Sequence, residues 1–128
     1  MNDAYSLRSL GVHPVSATAS KRESLRATFL GLMPSACIGP QKGYVEAAHG
    51  SAPDIANQNK ANPYSMIGSV AFLFEKCMNL HQESEDIWNA LFAVFEKGYR
   101  TVELAPAGYD SSKILTTREF GDLVVEMI

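Results

Sequence analysis

His49-Gly-Ser-Ala-Pro-Asp-Ile-Ala-Asn-Gln-Asn-Lys-Ala-Asn-Pro63 has almost no periodicity and divides the chain into two differently patterned parts. Its residues fix backbone shape and offer polar groups. Gly50 permits a positive φ or a close approach, and Pro53 sets its own φ and pushes Ala52 toward extended geometry. Asp54 is the only carboxylate of the stretch, and Asn57, Gln58, Asn59 and Asn62 add amide donors and acceptors. Pro63 suits the first position of a helix, with Asn62 as its N-cap. A loop near the roughly 12–15 residues beyond which loops tend to carry function, ending on a helix start, suits a polar ligand better than a core.

Downstream of this loop the apolar spacing turns helical. Over 63–79, Met66/Ile67, Val70, Leu73/Phe74 and Cys77/Met78 form a wide apolar stripe expected to face the core. Over 83–97, Ile87, Ala90/Leu91 and Val94/Phe95 repeat the pattern, with Trp88 and Phe92 on its flank. Acidic residues open that helix and Gly98 closes it. Residues 99–104 alternate like a strand, and 105–115 read as loop. Thr116 and Glu119 form a capping box ahead of a last helix with Phe120, Leu123/Val124 and Met127/Ile128 on one face.

Upstream the signals are weaker. Residues 24–33 read as a short helix with Leu25, Phe29 and Leu32 on one face. Residues 34–43, with two prolines and two glycines, read as loop, and 44–48 as a short strand. Residues 1–24 show no sustained period. Strands alternating with helices indicate an α/β layer fold. Two strands do not make a stable sheet, so further strands are expected outside this sequence or in a partner chain.

At 128 residues, 46% hydrophobic and 20% charged, the composition is that of one globular domain. A net charge of −3 argues against a nucleic-acid partner. No apolar run approaches the roughly 18 residues that span a bilayer, so no membrane segment is expected. Cys37 and Cys77 form no CxxC pair and fit a reducing compartment, which makes a cytoplasmic location the expectation. The Ser- and Arg-containing residues 1–26 leave a mitochondrial matrix destination as the alternative.

Three runs carry a resemblance: Gly31-Leu-Met-Pro-Ser-Ala36, Glu46-Ala-Ala-His-Gly-Ser-Ala-Pro-Asp-Ile-Ala56 and Ala61-Asn-Pro63. With Gly98-Tyr-Arg-Thr-Val-Glu-Leu104 and Thr116-Thr-Arg-Glu-Phe-Gly-Asp122, they resemble the C-terminal part of the isocitrate and isopropylmalate dehydrogenase family. The resemblance implies an incomplete portion of an isopropylmalate dehydrogenase-like α/β fold over residues 30–128. It would have few strands and three to four amphipathic helices, and would not be a Rossmann fold. Residues 1–29 would be a divergent or poorly ordered N-terminal segment.

The family performs NAD- or NADP-dependent oxidative decarboxylation of a 2-hydroxy acid with a β-carboxylate, using Mg or Mn. By resemblance the adenosine half of NAD meets His49, Gly50, Ser51, Ala52, Pro53, Asp54, Ile55 and Asn62. His49 would lie beside the adenine, Asp54 would accept from the ribose hydroxyls, and Asn62 would read the adenine edge. Asp54 would repel a 2′-phosphate, so NAD is expected over NADP. Outside this motif Asp54 reads as a turn carboxylate and His49 as a loop histidine bonded to backbone. Asn57 stands where the family commonly has glycine, and asparagine tolerates the left-handed region better than other side chains.

The family's metal aspartates would fall, counting back without gaps, at Ala17 and Lys21. Neither side chain binds Mg, and the family's catalytic residues lie upstream of the matched part. The chain alone is therefore expected not to turn over. The expected partners are NAD and either a second copy or a full-length family member. Two other readings are a non-catalytic NAD- or nucleotide-binding subunit that completes its fold on such a relative, and a degenerate product without function.

Overall fold

A computed structural model describes residues 32–128. The helix expected at 24–33 and the segment 1–24 lie outside these, except for Leu32 and Met33. Pro34–Ile38 (β1) and Gly43–Ala47 (β2) form an antiparallel hairpin in which Pro34 pairs with Ala47 and Ile38 with Gly43. This corrects the reading of 34–43 as loop. Pro34 opens the strand, where its missing N–H is tolerated. Gly39 closes the turn by donating to the Lys42 carbonyl at 2.8 Å.

Three helices follow: Tyr64–Cys77 (α1), His81–Glu96 (α2) and Thr117–Glu126 (α3). Arg100–Thr101 (β3) and Ile114–Leu115 (β4) pair in parallel. The strand expected at 99–104 thus shrinks to two residues, because Leu104 and Ala105 turn back to the Thr101 carbonyl. Its partner comes from the stretch read as loop. Among the described residues the strands form two separate two-stranded sheets.

The inward face of α1 is the main correction. Its buried residues are Tyr64, Ser65, Gly68, Ser69 and Ala71; of the expected stripe Ile67 and Phe74 pack against the core half-buried, whereas Met66 is 55% exposed and Val70 and Met78 also face outward. Small residues let α1 approach both the hairpin and α2 closely. Ser69 Oγ donates to the Glu46 carbonyl at 2.6 Å, and Ser84 Oγ of α2 donates to the Ala71 carbonyl at 2.9 Å. Larger side chains on that face would hold the layers apart.

The α2 and α3 patterns match their observed packing more closely. Ile87, Trp88, Ala90, Leu91, Val94 and Phe95 are buried, as are Phe120 and Val124 of α3. The rings of Phe95 and Phe120 meet at 5.4 Å, and those of Phe72 and Trp88 at 5.4 Å. Gly98 ends α2 with φ 87°, a left-handed cap that glycine adopts without penalty.

The capping box at α3 forms as expected. Glu119 N–H donates to Thr116 Oγ1 at 3.3 Å, and the Glu119 carboxylate accepts the Thr116 N–H at 2.8 Å. The Thr116 N–H and, next to it, the Thr116 hydroxyl, which donates to the same carboxylate at 2.8 Å, hold the Glu119 carboxyl below its usual range. A depressed folded-state pKa gives stability that is present above the ordinary carboxylate range and is lost as pH falls through the depressed value. Glu119→Gln keeps a box-forming amide but not the titration. The variant is therefore expected to lose less stability than the parent between pH 6 and pH 3, measured by urea midpoints at each pH. Parallel curves would show that the carboxylate contributes nothing to that dependence.

Candidate functional site

The loop between β2 and α1 begins at His49, whose Nδ1–H donates to the Gly50 carbonyl at 2.8 Å. A carbonyl can only accept, so this bond places a proton on Nδ1, and in the neutral ring Nε2 is then the acceptor. Glu46, Ala47, Ala48, His49 and Gly50 line an open concavity. A Cβ added to Gly50 would meet nothing within 4 Å, and Gly50 has no positive φ. Neither conformational freedom expected of this glycine is used by the fold itself, and the space beside His49 stays open.

Pro53–Ile55 forms a single 3-10 turn. Ala52 precedes it at φ 44°, ψ 60°, which corrects the extended geometry expected before a proline. The reversal lets the Ala52 carbonyl accept the Ile55 N–H at 3.1 Å. An alanine held there costs on the order of 1–2 kcal/mol, a strain the turn must offset. Asn57 has φ 62°, in line with its replacing a glycine, and Asn59 has φ 56°. The Asp54 side chain is exposed and makes no hydrogen bond or ion pair among the described residues. Its carbonyl is held instead, by Gln58 Nε2 at 2.7 Å. Ser51 and Pro53 are exposed beside it, and Ile55 is half-buried.

The other end of the loop is fastened inside the fold. Asn62 is 5% exposed. Its Oδ1 accepts the Tyr64 N–H at 2.9 Å, and its Nδ2 donates to Thr101 Oγ1 at 3.0 Å. Its main-chain N–H donates to the Glu103 carboxylate. The side chain implied to read the adenine edge is thus directed at β3 and α1. The bond to the Tyr64 N–H is the capping bond expected of Asn62, while the helix itself starts one residue later than expected, at Tyr64, with Pro63 at the N-cap rather than in the first turn. Thr101 and Glu103 stand in the run Gly98–Leu104 that carries the resemblance, but nothing in that run marks them as partners of Asn62. Only the folded register brings them beside Asn62.

Among the described residues no group of three or more His, Cys, Asp or Glu side chains could hold a metal ion. Positions 17 and 21 lie outside the described residues. Among the described residues no helix is long and apolar enough to cross a membrane.

Helices laid on a short hairpin, with a polar loop pinned between them and its one carboxylate exposed, define a mixed α/β protein with a candidate ligand loop. The family profile described as isocitrate/isopropylmalate dehydrogenase matches residues 18–124, and the chain belongs to that family. It is 43% identical over 99 residues to the 3-isopropylmalate dehydrogenase of Chlorobaculum tepidum, covering 77% of this chain and 27% of that protein. The corresponding protein of Thermotoga maritima is 41% identical over 99 residues, with the same coverage. Among solved structures, the isocitrate dehydrogenase of Methylococcus capsulatus superposes with a TM-score of 0.65 at 32% identity, over 77% of this chain and 27% of that one. The chain thus spans 27% of the length of these curated relatives.

Proposed function

We propose that the loop from His49 to Asn62 is the adenosine half of an NAD site. It would serve oxidative decarboxylation of a 2-hydroxy acid bearing a β-carboxylate, of the 3-isopropylmalate or isocitrate type. The observation that carries this is the exposed Asp54 carboxylate, which lacks a side-chain partner among the described residues although its own main chain is held. A carboxylate so placed can accept from two adjacent ribose hydroxyls through charge-assisted hydrogen bonds. The exposed Nε2 of His49 can accept a hydrogen bond from the base, and the open space beside Gly50 admits a flat ring. Asn62 enters this reading as the residue that fastens the loop to β3 and α1 through its side-chain bonds.

NAD supplies the hydride acceptor when bound, and this chain's part is to hold its adenosine end. A 2′-phosphate would place negative charge against Asp54, so NAD is preferred over NADP. Calorimetric titration of the 128-residue protein with each nucleotide tests this. NAD is expected to bind more tightly than NADP, and Asp54→Asn is expected to raise the NAD Kd about tenfold or more while narrowing the gap to NADP. Equal affinity of the parent for both nucleotides would sink the assignment.

Ala17 and Lys21 stand where the resemblance implies the metal aspartates, so the chain alone is proposed to bind without turnover. A substrate- and metal-dependent rise in NADH absorbance from the purified protein would overturn that. The outward Met66, Val70 and Met78 of α1 favour association with a second copy or a full-length family member.

A further inference from the structure

The segment between the Pro53–Ile55 turn and α1 is fastened at a point 59 residues away in sequence from its partner. The Asn59 carbonyl accepts the Thr117 N–H at 3.0 Å, and Asn59 Oδ1 accepts the Arg118 N–H at 3.0 Å. These are the first N–H groups of α3, which have no acceptor within their own helix. Glu119 N–H, the next, is taken by Thr116. Thr117 Oγ1 donates back to the Ala61 carbonyl at 2.6 Å, so α3 grips the loop on both sides of Lys60.

The grip continues toward the ligand side. Gln58, next to Asn59, donates its main-chain N–H to the Ile55 carbonyl at 3.1 Å and its side-chain Nε2 to the Asp54 carbonyl at 2.7 Å. A line of hydrogen bonds and one peptide link therefore runs from the N-terminus of α3 through Asn59 and Gln58 to the main chain of Asp54. Asn59 adopts φ 56°, where asparagine is better tolerated than other side chains except glycine.

We propose that Asn59 is a positioning residue for the nucleotide loop: clamped on α3, it holds Asp54 oriented for the ribose hydroxyls without touching the ligand. This rests on the reading of the loop as the adenosine half of an NAD site. A loop ordered before binding loses less conformational entropy when the ligand arrives, and the difference shows as affinity.

Two variants of the full 128-residue chain test the clamp, with a third as control. Asn59→Gly keeps the positive φ and the main-chain bond but deletes Oδ1. It is expected to raise the NAD Kd about tenfold. Asn59→Asp keeps an acceptor at the helix N-terminus, where negative charge is favoured, and is expected to restore affinity to within about twofold. Thr116→Ala removes the cap of the next N–H without touching the loop, and is expected to lower the melting temperature but leave the NAD Kd unchanged.

A Thr116→Ala effect on Kd equal to that of Asn59→Gly, or failure of Asn59→Asp to restore binding, would overturn the proposal and leave Asn59 as a helix cap only. Amide hydrogen exchange without ligand separates the clamp from the cofactor reading. Exchange at Ile55 and Gln58 is expected to quicken about tenfold in Asn59→Gly and not in Thr116→Ala. Unchanged exchange would overturn the clamp. Quickened exchange with no NAD binding even by the parent would overturn the cofactor reading and the positioning role that rests on it.

Discussion

Phe120→Ala is expected to lower the unfolding free energy by about 3–5 kcal/mol, read from urea midpoints at constant slope. Phe120 is fully buried where α3 meets α2, with its ring 5.4 Å from that of Phe95 and tilted 56° to it. Truncation removes the ring's transfer free energy and opens a cavity. Walls formed by two helices cannot close on that cavity without moving α3. The loss is a large part of the ~5–15 kcal/mol that typically separates a folded domain from its unfolded state. A change under about 1 kcal/mol, the size of an ordinary surface effect, would mean that α3 is not part of the cooperative core. The same variant should loosen the nucleotide loop, since α3 carries the N–H groups that Asn59 holds and the Thr117 hydroxyl that donates to Ala61.

Gly68→Val is expected to be the second most damaging substitution, at about 3 kcal/mol, the upper part of the usual range for overpacking. A Cβ at Gly68 would stand 2.8 Å from Trp88 Cη2, 3.1 Å from Trp88 Cζ3 and 3.2 Å from Pro34 Cβ. The indole has little room to retreat, since it is buried and packed against Phe72 and Phe92. Valine adds two γ carbons and regains only a few tenths of a kcal/mol of helix propensity. Gly68→Ala separates the two effects, because alanine gains about 1 kcal/mol of propensity while adding only the Cβ. Both are expected to destabilise, alanine by less, since it brings the same Cβ contact with a larger propensity gain and no γ carbons. A valine variant as stable as the parent would show that the contact between α1, Trp88 and the hairpin yields easily.

Both sites bear on the candidate ligand loop through the elements that hold its ends. Gly68 sets how closely α1 lies on the hairpin, and the start of α1 places Asn62. Phe120 seats α3, whose first turn holds Asn59. The loop is therefore positioned by packing far from its exposed carboxylate, and stability variants at those two positions should also change nucleotide affinity.

Particular residues show what could be read in advance and why the rest could not. The Thr116–Glu119 box and the Gly98 cap depend on bonds within a few residues, and both formed as expected. Asn57 was marked by standing in a glycine position, and it has the positive φ that this implies. The α1 stripe was right for Ile67 and Phe74, which pack against the core, and misled for Met66, Val70 and Met78, because helical spacing marks an apolar face without saying how much of it is covered. The Gly, Ser and Ala positions that face inward have no hydropathy signal of their own. The β1 strand was hidden by its flanking prolines and glycines, which serve its first residue and its turn.

The sequence by itself determined the family, the three described helices and the identity of the exposed carboxylate loop, because those rest on local spacing and on a contiguous motif. Only the tertiary structure decided which side of α1 is buried, that Asn62 turns inward to Thr101, and that Asn59 closes the N-terminus of α3. The physical reason is distance along the chain. A hydrogen bond between residues 59 apart, or a helix approach set by a missing Cβ, exists only after the layers have packed.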